Sequence, residues 1–289
     1  MDKSSIPNYC CMLKLFSLPG RGRRWFYPVL SVFVALGITL SSMPSQAISV
    51  FDLLRQGVQI FQLSNISERQ EVEIGKQIDQ QIKREIKIYR NQDINSYVQQ
   101  IGRQLAATSD RPNLPYTFQV VDDKGVNAFA TAGGFVYVNT GLLKLADNEA
   151  EFASVMAHEI GHITGKHLVE QMRESALAQG VSQAAGLDRN AAVQIGVDLA
   201  LRRPNSRKDE LEADQIGLRN LRRAGYAESG MVSFMRKLLK SRSTPTFLST
   251  HPATGDRIVA LERAINPQKS NVGNGLDSNA YKSQIRSLS

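Results

Sequence analysis

The stretch Met156-Ala157-His158-Glu159-Ile160-Gly161-His162 decides how this 289-residue chain is read. Two histidines four residues apart on a helix stand one turn above the other on one face, with converging imidazoles. Glu159 is turned about 100° from the first of them, so it can sit beside a metal without ligating it and take a proton from a bound water. This is the His-Glu-x-x-His pattern of zinc proteases. The plainer alternative is a helix with two hydrogen-bonded core histidines. The chain has four histidines in all, and two of them fall at ligand spacing around one glutamate.

The residues around the pattern supply a helix. Asn148 and Glu151 have the spacing of a capping box, with acidic groups in the first turn to suit the helix dipole. Phe152, Val155, Met156, Ile160 and Ile163 then recur with helical period, while Ala153, Ala157 and Gly161 line another side with small groups. A helix apolar nearly all round is buried, with neighbours packed closely. A buried histidine pair needs a partner, and a metal is one.

Upstream, residues 67–90 read as a charged amphipathic helix and 94–107 as a second, both scaffold. Arg111-Pro112-Asn113-Leu114-Pro115 breaks the pattern. Two strand-like runs follow, 116–121 and 129–139, the latter kinked at Gly133-Gly134. A sheet just before the histidine helix offers an edge with which a peptide can pair; a purely structural sheet is the alternative.

Two histidines do not complete a catalytic zinc site, which takes three protein ligands and an open position. The metzincin spacing would put a histidine at position 168, but Leu168 stands there and His167 comes one residue early. On a continued helix His167 would face away from His158, as a surface residue or one behind the ligands. The other candidate is Glu210, in a helix opening at Ser206 and closed by Gly225. Glu210, Ala213, Asp214 and Gly217 share one face. Glu210 would be the third ligand, and Asp214 would accept from the N–H of a ligand histidine. A solvated charged face fits the spacing equally well. His251, held by Pro252, is a candidate for the open zinc position. There it either occupies the position at rest or contacts the transition state. A histidine at a helix start with no chemistry is the alternative.

Residues 1–47 read as an export signal. Five basic residues against Asp2 precede the apolar run 29–40, and Ser45-Gln46-Ala47 supplies small residues for cleavage after Ala47. An uncleaved membrane anchor is the alternative. Export implies a periplasmic or other extracytoplasmic location. Both cysteines lie in this segment, so residues 48–289 can form no disulfide. Without it the formal charge falls from +8 to about +4, too mild for a nucleic-acid binder. The rest divides into a linker (48–66), one domain (67–266) and a polar, disordered tail (267–289). The alanine-rich stretch 174–203 reads as packed helices, or as a mobile cover or a peripheral membrane contact.

The order of motifs also carries a resemblance. Asn127-Ala128-Phe129-Ala130, Gly133-Gly134-Phe135-Val136-Tyr137-Val138 and Thr140-Gly141-Leu142-Leu143 lead into the zinc pattern. Ser206 to Asp214, Ala224-Gly225-Tyr226, Thr250-His251-Pro252 and Arg257-Ile258 follow it. Across roughly residues 67–265 this resembles the HtpX/BepA-like zinc metallopeptidases, relatives of the CAAX prenyl endopeptidases. The resemblance implies an α+β, mostly helical gluzincin fold with a small sheet. It implies one Zn2+ per chain on His158, His162 and Glu210, with Glu159 as catalytic base and Asp214 behind the ligands. It implies an endopeptidase for misfolded or unassembled exported proteins. A non-catalytic zinc-binding chaperone is the rival, and it would not need Glu159. The family's alanine-proline-glycine-glycine turn reads here Ala130-Thr131-Ala132-Gly133-Gly134, which bears on the edge strand. No paired membrane helices are read, so prenylated substrates are not expected, and no tetratricopeptide tail is read, so no large partner-binding module is expected.

Overall fold

A computed structural model of the chain describes residues 60–61, 65–180, 187–240, 245–252 and 255–288. The export signal and nearly all of the linker lie outside the described residues. Among those described, no helix is long and apolar enough to cross a membrane.

A two-residue strand, β1 (Ile60–Phe61), precedes helix α1 (Glu68–Glu85). Ser67 and Gln70 form a reciprocal capping box at the start of α1. Its buried stripe Ile74, Ile78 and Ile82 follows the helical period, and burying each stabilises by about 1.5–3 kcal/mol. The helix stops short of the expected residue 90, because Ile86 is extended and Ile88 bridges to Val121. Helix α2 (Gln92–Ala107) is capped by Asn91. The break after it is tied down by Arg111, which donates to Glu71 of α1 and to the carbonyl of Ile163.

The two expected strand runs form a three-stranded sheet, because the second divides into two strands at the turn Ala132–Gly134. Strand β2 (Thr117–Val121) runs parallel to central β4 (Phe135–Asn139), and β3 (Ala128–Ala130) pairs antiparallel on its other side. The one-residue alternation of a strand divides β4 between two cores. Val136 and Val138 face the cluster holding α2 and the histidine helix; Phe135 and Tyr137 face the one holding α1.

A short helix, α3 (Thr140–Leu145), leads into α4 (Glu149–Thr164), which carries the histidine pattern and is buried from Ala150 to Ile163. Asn148 caps it by accepting from the Glu151 N–H, whereas the Glu151 side chain accepts from the Asp147 N–H. Helix α5 (His167–Ala178), strand β5 (Leu187–Asp188) and helix α6 (Arg189–Arg202) follow. Strand β5 pairs with β1, and α6 buries Ala192, Val193 and Val197 in the core shared with α1 and α5. The alanine-rich stretch is therefore packed helix in its described parts.

Helix α7 (Arg207–Arg223) lies against α4, and α8 (Ser229–Lys240), α9 (Phe247–Thr250) and α10 (Gly255–Ala264) complete the domain. The tail departs from expectation, for it is ordered. It ends in α11 (Ser278–Gln284), where Tyr281 is buried and donates to the Leu143 carbonyl. Upstream, Gly275 accepts from the N–H of Ala150 at the start of α4. A side chain at Gly275 would collide with that residue, and its φ of 91° favours glycine. Polar composition predicted disorder, but a few apolar groups at contact positions outweigh it.

Candidate active site

The site rests on how closely α4 and α7 approach. A Cβ on Gly161 would lie 2.6 Å from the Ala213 carbonyl oxygen, and one on Gly217 would lie 3.0 Å from the Ala157 backbone. Glycine at both positions lets the helix axes come near enough for side chains of α7 to reach those of α4. Ser206 caps α7 by accepting from the Asp209 N–H, which sets the face carrying Glu210 and Asp214.

His158, His162, Glu210 and His251 come together, each offering a ligand atom within 4.8 Å of the others. All four are buried. The Nε2 atoms of His158 and His162 are 3.1 Å apart, and Glu210 lies 3.5 Å from the first and 3.3 Å from the second. His251 enters from the turn after α9, with Nδ1 3.0 Å from Glu210 Oε1 and 3.3 Å from His158 Nε2. Its ring stacks on Phe247 at a centroid distance of 4.4 Å.

Behind this group, Asp214 Oδ1 stands 3.0 Å from Nδ1 of His158. Arg257 of α10 makes a two-pronged contact with Asp214, at 2.7 Å for each prong, and also reaches Glu210. The guanidinium is buried and donates to the Pro252 carbonyl as well, so one side chain ties the carboxylates to the His251 turn. Sequence reasoning passed over Arg257, quoting it only as part of a motif. A lone arginine in an amphipathic helix looks like surface; the signal was its place six residues after His251.

His167 also lies elsewhere than the helical projection put it. Helix α4 ends at Thr164, Lys166 turns left-handed at φ 57°, and His167 starts α5 buried beside His162. Of the two expected places, the surface or behind the ligands, it takes the second.

Glu159 stands apart from the group, fully buried, with neither carboxylate oxygen hydrogen-bonded. Its Oε1 lies 3.5 Å from His251 Nε2. Burial pushes its carboxyl above the ordinary range, against the pull of His251 and His158. Burial opposes the ionisation of Glu210 too, but His251, His158 and His162 outweigh it and hold that carboxyl well below the usual range. Burial also works against a charge on His158, yet Asp214 and Glu210 push it up to about 10; His162, where burial prevails, is pushed down to about 3.

The donor set fits a divalent cation. With the imidazoles neutral, as ligation requires, three buried carboxylates (Glu159, Glu210 and Asp214) stand against one buried guanidinium, Arg257, which leaves up to two negative charges. Uncompensated buried charge is costly, and a doubly charged ion at the nitrogen–carboxylate cluster removes the imbalance. Imidazole and carboxylate are ligands that zinc takes.

The cluster opens on a cleft walled by Phe129 and Ala130 of β3, Leu168 of α5 and Leu199 of α6. In the antiparallel pairing, Thr131 donates to Phe135 and Asn139 to Asn127, so the alternation turns the Ala130 N–H and C=O away from β4. Ala130 is half-buried at the edge of the sheet beside this cleft.

Residues 92–265 match the model of peptidase family M48. A putative beta-barrel assembly-enhancing protease of Vibrio cholerae is 34% identical over 189 residues, 59% of this chain and 39% of the relative. The beta-barrel assembly-enhancing protease of Escherichia coli is 29% identical over 223 residues, 71% of this chain and 46% of the relative. The mitochondrial metalloendopeptidase OMA1 of Arabidopsis thaliana is 36% identical over 164 residues, 55% of this chain and 33% of the relative. The chain spans less than half the length of each of these relatives.

Proposed function

The chain belongs to peptidase family M48; from that premise we propose that it is a zinc metalloendopeptidase, hydrolysing peptide bonds of exported proteins that are misfolded or not yet assembled. The observation that carries the catalytic reading is Glu159, a buried carboxylate without a hydrogen-bond partner beside four converging ligand groups. Such a group is costly unless it is used. The choice of substrate is supported by the reading of residues 1–47 as an export signal and by relatives named for enhancing beta-barrel assembly. The same features support an extracytoplasmic, periplasmic location.

His158, His162 and Glu210 hold the zinc in this proposal. When bound, zinc supplies Lewis acidity, polarising the scissile carbonyl and making water acidic enough to ionise near neutral pH. Glu159 accepts the proton of the attacking water and returns it to the leaving amine as the C–N bond breaks. Its raised pKa suits both transfers. Arg257 and Asp214 hold Glu210 and His158 in place, so these ligands need not reorganise during the reaction. The substrate backbone pairs with the outward N–H and C=O of Ala130, which sets the scissile bond beside Glu159. Removing the metal tests the whole reading. Casein digestion should stop with 1,10-phenanthroline and return with one equivalent of zinc; digestion indifferent to the chelator overturns it.

His251 is assigned to the resting state. With its Nδ1 among the ligands the site has four protein donors and no open position. His251→Ala should then raise casein cleavage, by roughly tenfold if closure is favoured by about 1.4 kcal/mol. A fall in cleavage at full zinc loading would instead assign His251 to transition-state contact. No change in either quantity would remove it from the site.

A further inference from the structure

We propose that His167 is a positioning residue for His162, holding that ligand in the tautomer whose Nε2 lone pair faces the metal. This rests on the zinc-site reading above. The two Nδ1 atoms lie 2.8 Å apart and both rings are buried. The ring planes cross at 78° with centroids 4.9 Å apart, so the contact is edge to face and not a stack. At that separation one Nδ1 carries a proton and the other a lone pair.

The neighbours decide which. Nε2 of His162 lies inside the ligand group, 3.1 Å from His158 Nε2 and 3.3 Å from Glu210. Ligation there needs a lone pair on Nε2, so the His162 proton resides on Nδ1 and is donated to Nδ1 of His167. The His167 proton must then be on its own Nε2. That atom is buried without a hydrogen-bond partner, and the closest anion is Glu212, with Oε2 3.8 Å away. Every proton position follows from the one before it, running from the ligating Nε2 of His162 towards Glu212.

Two local features serve this arrangement. The left-handed backbone at Lys166 is the only positive φ among the described non-glycine residues, and it turns the chain so that His167 points back at α4. A side chain on Gly165 would collide with the His167 ring. The strained turn and the space kept at Gly165 both go to placing one imidazole. The ligands are thus oriented by different means. His158 has the carboxylate of Asp214, backed by Arg257, while His162 has a second imidazole. Groups that fix a ligand histidine set its tautomer and its basicity.

The test is zinc affinity, measured by chelator competition on the full chain. It compares wild type, His167→Ala, His167→Asn and Glu210→Ala, with circular dichroism showing that each is folded. Asparagine places an amide oxygen near the position of Nδ1 and so keeps the acceptor. His167→Ala should weaken zinc binding about 10–100-fold, and His167→Asn should recover most of the loss. Long-range ¹⁵N–¹H spectra of the zinc-loaded wild type should show His162 protonated at Nδ1. Wild-type affinity in His167→Ala overturns the proposal, as does equal loss in the Ala and Asn variants or a His162 proton on Nε2. If these arms are flat while Glu210→Ala loses zinc, only the positioning role falls. If Glu210→Ala also binds like wild type, the ligand assignment falls and takes the tautomer argument with it.

Discussion

The Glu159→Gln variant is expected to keep its zinc and its fold while casein cleavage falls by about 10²–10⁴-fold, the usual contribution of a general base. The change is nearly isosteric and removes only the ability to accept a proton. It also breaks no hydrogen bond, because neither oxygen of Glu159 has a partner. The cost is a buried amide in place of a buried carboxyl, about 1–3 kcal/mol if the amide finds no partner, offset by the loss of one uncompensated negative charge. Zinc content and circular dichroism should match wild type. Wild-type cleavage by this variant would take Glu159 out of the mechanism. If neither protein cleaves any substrate when loaded with zinc, the non-catalytic chaperone reading replaces the enzyme.

Glu210→Ala should lose zinc, with affinity falling well beyond the roughly 10–100-fold typical of residues behind the ligands. Glu210 is fully buried and faces three imidazoles and Arg257 at once. Truncation removes the carboxylate between the two Nε2 atoms and leaves Asp214 as the one carboxylate in contact with the guanidinium. Breaking a buried pair in this way costs about 3–5 kcal/mol, and the retained two-pronged contact with Asp214 places this case at the lower end. Glu210→Gln keeps the volume and separates the loss of charge from the cavity. Metal analysis after dialysis, with thermal unfolding of the metal-free proteins, reads both effects. A site emptied by His167→Ala but not by Glu210→Ala would show the third ligand to be misassigned.

Much of this architecture is local in origin and could therefore be read from the residues. The four-residue spacing of His158 and His162 puts both imidazoles on one face wherever the helix forms, and the all-round apolar pattern of α4 requires burial. The alternation in β2 and β4, and the caps at Ser67, Asn91, Asn148 and Ser206, are likewise set by near neighbours in sequence. Glu210 was a different case. Its spacing to Asp214 suited a solvated face as well as a metal, and only the resemblance to a family favoured one reading.

Where the tertiary structure decided, the cause was a contact between residues far apart or a single backbone angle. His167 leaves the helical projection because one residue, Lys166, turns left-handed. The order of the tail comes from Tyr281 meeting Leu143, and from Gly275 meeting Ala150. The role of Arg257 needs Asp214 and Glu210 brought to it from another helix, which glycines at Gly161 and Gly217 make possible. By itself the sequence determined the elements and the spacing of the ligand pair, because helix and strand periods act over a few residues. Which carboxylate, guanidinium and imidazole gather around that pair was settled by packing alone, because such contacts depend on how closely separate helices approach.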